Sequence, residues 1–242
     1  SALIALTPSN IVGLSSSALA GLTTDKLSII ETQDISALTS AQLAGLTRSQ
    51  ASAISTAQIA ALTRGQVANL NSVQISGLSS AQLNALSTSA LIALTPSNIV
   101  GLSSSALAGL TTDKLSIIGT QDISALTSAQ IAALTSSQVS ALSTPQIAAL
   151  TSANISGIST ALLSGLTTAQ IAAIETADIP GMSVSQVASL TTAQIAALSS
   201  GQVANLSSGQ VSSFSSAQLN ALSTSALIAL TPSNIVGLSS SA

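Results

Sequence analysis

The side chains best suited to chemistry sit in a few short phrases. Lys26 lies two residues before Ser28, and Lys114 two before Ser116. An amine that close to a hydroxyl could serve as the base of a Ser–Lys pair, taking the proton from the attacking oxygen. Such a pair needs a walled site around it, and its surroundings here are small, regular and water-facing. There is no His to titrate near neutrality and no Cys to act as a thiolate. The acids gather loosely at Asp25, Glu31 and Asp34, and again at Glu175 and Asp178. Calcium takes roughly six to eight oxygens, and the second copy of the first cluster, residues 113–122, has Gly119 in place of Glu31. Carboxylates early in a helix favour the macrodipole, which accounts for Asp25, Asp34, Asp113, Asp122 and Asp178 without an ion. Asn154-Ile155-Ser156 and Asn205-Leu206-Ser207 match the glycosylation acceptor pattern, a chance outcome in so Ser-rich a chain. The expectation is therefore no catalytic, cofactor-binding or metal-binding residues, no cofactor, and no enzyme activity.

Composition narrows the partners. Among 242 residues there are 4 Lys+Arg and 7 Asp+Glu, for a net charge of −3, with one Phe, one Met and no Trp or Tyr. Nucleic-acid binding draws on clustered cations and stacking aromatics; neither is present. A mean hydropathy of +0.65 is high, yet the apolar runs, such as residues 2–6, fall far short of the ~18 residues a spanning helix needs. No membrane span is expected. Without Cys the chain fits any redox compartment. It begins with Ser1, which suggests a processed or excised segment.

The elements that must position these residues follow from one period. From Leu6, a step of eight lands on 30 positions ending at Leu238, all apolar, with Met182 and Phe214 the only departures from Leu or Ile. From Leu3, the same step lands on 30 positions ending at Ile235, all Leu, Ile or Val except Ala51. The residue after each member of the first set is Ser or Thr, apart from Glu31, Asn71, Gly119 and Glu175, and Gln is the commonest residue before the second set, as at Gln42, Gln58, Gln130 and Gln194. Residues 1–42 recur at 89–130 and residues 79–106 at 215–242, shifts of 88 and 136, or 11 and 17 octads. Both are odd, so no sixteen-residue unit is preserved and each octad is read as equivalent to its neighbour. Residues 1–242 thus form a single continuous octapeptide array, read as a window of a longer one because no polar capping repeat closes either end.

Apolar spacings of 5 and 3 do not fit a strand, whose period is 2, and a continuous helix would carry the stripe ~80° around its axis per octad. The chain must turn once in each octad. With Ser or Thr as N-cap, Gln falls at the third helical position and completes a capping box, while the flanking Leu and Ile/Val form the hydrophobic staple. In one octad these are Leu62, Thr63, Gln66 and Val67. Pro8, Pro96 and Pro232 fall at the first helical position, where proline's missing N–H is harmless. Gly13, Gly21, Gly45, Gly77, Gly101, Gly109, Gly157, Gly165, Gly181 and Gly237 share the octad position of a left-handed C-cap. The fold expected is all-α: an α-solenoid of short capped helices, one per octad, sharing a narrow apolar spine. A β-solenoid, with octads as faces, is the alternative.

Two resemblances follow. Leu94-Thr95-Pro96-Ser97-Asn98-Ile99-Val100 resembles the opening helix of the repeats of transcription activator-like effectors. Those repeats add a second helix and a base-reading loop, both missing here, so the likeness implies shared capping and not DNA reading. Across its whole length, as in residues 126–149, the chain resembles the long Leu-Thr-x-x-Gln-Ile-Ala-Ala arrays of giant surface or adhesin-like proteins of Gram-negative bacteria. That resemblance implies an extracellular or cell-surface filament, stalk or adhesin spacer. Its partner would be itself, head to tail or side by side, since little charge opposes bundling. The alternative is a binding module for a repetitive surface: polysaccharide, ice or another filament. A haem role gains nothing from a chain without His or Cys.

Overall fold

The computed structural model describes residues 7–238. Octad after octad forms a helix of four to six residues, and no strand occurs among the described residues. The chain is all-α and solenoid-like. Its octads fall into two compact units, Ser1–Leu126 and Thr127–Ala242, each considered by itself.

Each octad folds as local chemistry directs. Thr63 is extended at φ −79° and ψ 160°, and the helix Arg64–Ala68 follows. The Thr63 Oγ1 accepts the Gln66 amide at 3.3 Å, while Gln66 Oε1 accepts the Thr63 amide at 2.8 Å. The helices Pro8–Ile11, Pro96–Ile99 and Pro232–Ile235 begin on their prolines, as expected. From Leu27 to Phe214 every member of both apolar sets is buried, each one larger than Ala51 contributing roughly 1.5–3 kcal/mol. Helices this short do not pay for their own nucleation, so packing between octads must hold them.

That packing skips two octads. In the first unit the helix Ser16–Ala20 lies beside Ser40–Ala44, Thr24–Ser28 beside Arg48–Ala53, and Thr56–Ala60 beside Ser80–Ala85. In the second, Thr192–Ala196 lies beside Ser216–Ala221 and Ser200–Ala204 beside Thr224–Ile228. Octad n therefore rests on octad n+3, and within each unit the chain coils with three to four octads per turn.

The glycines differ from expectation. Among the described residues none has a positive φ. Gly45 and Gly165 are C-caps in the right-handed region, at φ −77° and −84°. The helices end with a 3-10 type bond, Gly45 N to Gln42 O at 3.2 Å, and the next apolar residue then runs extended, as Leu86 does at φ −55° and ψ 140°. No left-handed residue is needed to turn the chain. Several glycines are instead small because another turn crosses them. A Cβ on Gly101 would stand 2.1 Å from the Ser72 carbonyl oxygen, and one on Gly157 would stand 2.2 Å from that of Ser128.

Nor are all octads alike. Thr176–Gly181 is a 3-10 helix containing Pro180, and Ile155–Gly157 is a 3-10 turn. Pro180 has no N–H to return to the carbonyl four residues back, which tightens that octad.

Gly101→Ala is expected to cost about 1–3 kcal/mol by forcing the two turns apart. Gly65→Ala, with nothing within 4 Å of its would-be Cβ, should instead gain about 0.5–1 kcal/mol through helix propensity. Urea unfolding of the two variants beside the parent chain checks both signs.

Candidate functional site

The residues singled out for chemistry do not come together. The Ser28 hydroxyl donates to its own helix at Asp25 O, 2.8 Å, and Ser116 does the same at Asp113 O, 2.9 Å. The Lys114 amine donates to the Leu86 carbonyl oxygen in an earlier octad. Neither pair has the hydroxyl facing the amine. Asp25, Glu31 and Asp34 form no three-membered ligand group, and no pocket opens among the described residues. Asn154 is buried, with its Oδ1 accepting the Thr151 amide at 2.7 Å. Asn205 is exposed and donates to Gly201 O at 2.8 Å. No helix among the described residues is long and apolar enough to cross a membrane.

What recurs instead is a polar lattice centred on Gln. Gln66 is buried. While its Oε1 completes the capping box, its Nε2 donates to Ile35 O at 2.9 Å and Leu38 O at 2.8 Å, 31 and 28 residues earlier. Gln74 reaches Leu43 O and Leu46 O at 2.6 and 2.9 Å. In the second unit Gln194 reaches Leu163 O and Leu166 O at 2.8 and 2.7 Å, and Gln202 reaches Ile171 O and Ile174 O at 2.9 and 2.7 Å. Thus octad n rests on octad n−3 through its helix and is tied to octad n−4 through its Gln.

The chemistry of the acceptors explains the tie. Within an octad the first helical amides return to the cap carbonyl, as Val67 N does to Thr63 O at 3.1 Å, and the staple carbonyl accepts from the next apolar residue, as Ile59 O does from Leu62 N at 3.1 Å. The carbonyl of that apolar residue joins two octads and receives no local amide. A buried carbonyl without a partner costs about 1–3 kcal/mol, and the Gln amide from the next turn supplies the donor.

Sequence reasoning gave Gln a capping role only. The signal for its second role was present: a capping box accepts Glu as readily as Gln, yet Glu stands at none of the thirty positions of this slot. Only the amide carries two N–H groups as well as an oxygen. Lys114, Asn98 and Asn234 fill the slot elsewhere and also donate backwards, Asn98 to Leu70 O at 3.2 Å and Asn234 to Val203 O at 3.2 Å. Ala18, Ala90, Ala106, Leu162 and Ala226 bring no donor to the slot, and among its polar occupants the exceptions are Asp34 and Asp122. Both are buried, and each leaves its Oδ1 without a partner.

The model of one family, the ALTTAQ repeat, matches residues 27–64, 115–152, 171–208 and 203–240. No curated protein matches the chain. All four segments start on a staple residue, Leu27, Leu115, Ile171 and Val203, and the side chain that returns to it lies within the segment, as Gln58 does for Leu27, Gln202 for Ile171 and Asn234 for Val203. The matched stretch is therefore long enough to hold one closed turn of the lattice.

Gln74→Glu keeps the capping oxygen and removes the donor, leaving a carboxylate against two carbonyls. Stability at neutral pH should fall by about 3 kcal/mol or more, with the largest loss of amide protection at residues 43–46 and 71–75. Replacing Thr135 and Gln138 together with Gly removes the box formed by Thr135 N–Gln138 Oε1 at 2.8 Å and Gln138 N–Thr135 Oγ1 at 3.2 Å. That double variant should lower helicity in circular dichroism and protection over 135–142, and unchanged spectra would sink the capping account.

Proposed function

The chain belongs to the ALTTAQ repeat family, and from that footing we propose that it is a non-catalytic structural array, an extracellular or cell-surface filament, stalk or adhesin spacer. The observation that carries this reading is the Gln lattice itself. The inward amides, the junction carbonyls and both apolar sets are used in holding octad to octad. What remains outward is mostly small and uncharged, with 5% of the chain charged. Such surfaces oppose lateral contact weakly, because few like charges face each other. Self-association, end to end or side by side, is the partner this reading assigns.

Electron microscopy of the purified chain tests it, with concentration taken from peptide absorbance because Trp and Tyr are absent. Uniform fibres or ordered bundles are expected. Discrete rods of constant length would keep the spacer role and remove self-assembly. Saturable binding to insoluble polysaccharide, or inhibition of ice recrystallisation, by a chain that forms neither would overturn the reading in favour of a surface-binding module.

A further inference from the structure

Asp122 occupies the lattice slot with the wrong chemistry for an ionised acid. The slot asks for one oxygen to accept the cap amide and one donor aimed at the junction carbonyl of the turn before. Asn98, which has the same shape as Asp, meets both demands: its Oδ1 accepts the Thr95 amide at 2.8 Å and its Nδ2 donates to Leu70 O, 28 residues earlier. In Asp122 the cap amide of Gly119 bonds the carboxyl, which fills the first role. The second falls to Oδ1, 6% exposed as a residue and without a partner. By the 28-residue register that Asn98 follows, the carbonyl this slot's donor would serve is that of Leu94, and an ionised Oδ1 has no hydrogen to give it. A carboxylic acid O–H supplies one, since it donates where the Asn amide would.

We propose that Asp122 is a proton-operated joint: as a neutral acid it completes the lattice, and on losing the proton it loosens its octad from the turn before; Asp34, with the same orphaned oxygen, shares its dependence on the proton. Asp34 shows the same burial, 2% exposed, and the same orphaned Oδ1; its register partners lie outside the described residues. Asp178 shows the contrast. In the same slot its Oδ1 accepts the Ser152 amide at 2.6 Å, so an ionised form has a donor.

The electrostatic surroundings agree. Desolvation holds the Asp122 carboxyl above its ordinary value of 3.8, opposed by the Gly119 hydrogen bond; desolvation does the same for Asp34, reinforced by the Glu31 charge. The helices Pro96–Ile99 against Asp122, and Pro8–Ile11 and Thr56–Ala60 against Asp34, carry no titratable residue. Among the nearest charges in sequence to Asp122, Asp113 is exposed and Lys114 is bound to Leu86 O. A folded pKa above the unfolded one means that the folded chain holds its protons longer. The stability these groups contribute is complete below 3.8 and is lost as pH rises from there through the raised folded values.

The test follows the carboxyl 13C resonances of the full chain through an acid-to-neutral titration, alongside thermal unfolding of the parent, Asp122→Asn, Asp34→Asn, the double variant and Asp178→Asn. Asp122 and Asp34 are expected to titrate above 3.8. The parent should melt progressively lower as pH rises, and the double variant should melt higher than the parent at neutral pH with most of that slope removed. Asp178→Asn, at an oxygen already paired with the Ser152 amide, should not raise the melting temperature at neutral pH. Titration of Asp122 and Asp34 at the ordinary value would overturn the proposal even if a variant failed to fold. So would a parent stability that depends on sodium or potassium concentration and not on pH, because a cation would then be holding the orphaned oxygens.

Discussion

The junction carbonyl between octads is the acceptor on which the architecture turns. Each octad satisfies its own cap and its own helix, but a chain that turns every eight residues leaves one carbonyl at every joint without a local amide. Where the slot of a later octad holds an amide, the donor comes from elsewhere in the chain. Gln supplies it at a fixed reach of 28 residues, with the staple carbonyl 31 residues back as a second acceptor, as Gln66 does with Leu38 and Ile35. That reach sets the winding within each unit. Helix packing at n+3 and amide bonding at n−4 describe the same coil seen from its two sides.

Close winding constrains the small positions. Where turns come nearest, as at Gly101 over Ser72 and Gly157 over Ser128, a methyl group has no room. Elsewhere in the same octad position Ala is accepted, as at Ala61 and Ala133, each a C-cap in the right-handed region. The backbone conformation is common to Gly and Ala there, so at Gly101 and Gly157 the choice of Gly records the distance between turns, whereas Gly21 and Gly165 meet only their own helix.

The local half of the fold was legible in the sequence. Caps, staples and the prolines at Pro8, Pro96 and Pro232 act over at most five residues, and a single octad contains all the information they need. The winding was not legible, because in a sequence of near-identical octads any one could pair with any other; nothing in Leu62, Thr63 or Val67 names the octad they will meet. The exclusive use of Gln over Glu in the third helical position was the one residue-level trace. The glycines misled because a left-handed cap and a close crossing ask for the same residue. Asp34 and Asp122 misled for a related reason: a carboxylate early in a helix is ordinarily a surface ornament to the dipole, and only the coil above and below shows that these two are enclosed.

The constant reach of the lattice also fixes how such a chain begins to fold. No amide tie can close until some four octads have condensed together, so the first turn forms at a loss of loop entropy with little returned. Every later octad adds its ties over the same 28 to 31 residues, however long the array becomes. Relative contact order then falls as the array lengthens, the condition that favours rapid folding. The array behaves as a helix written one level up: a slow nucleus, then growth by identical steps, with octads in the place of residues.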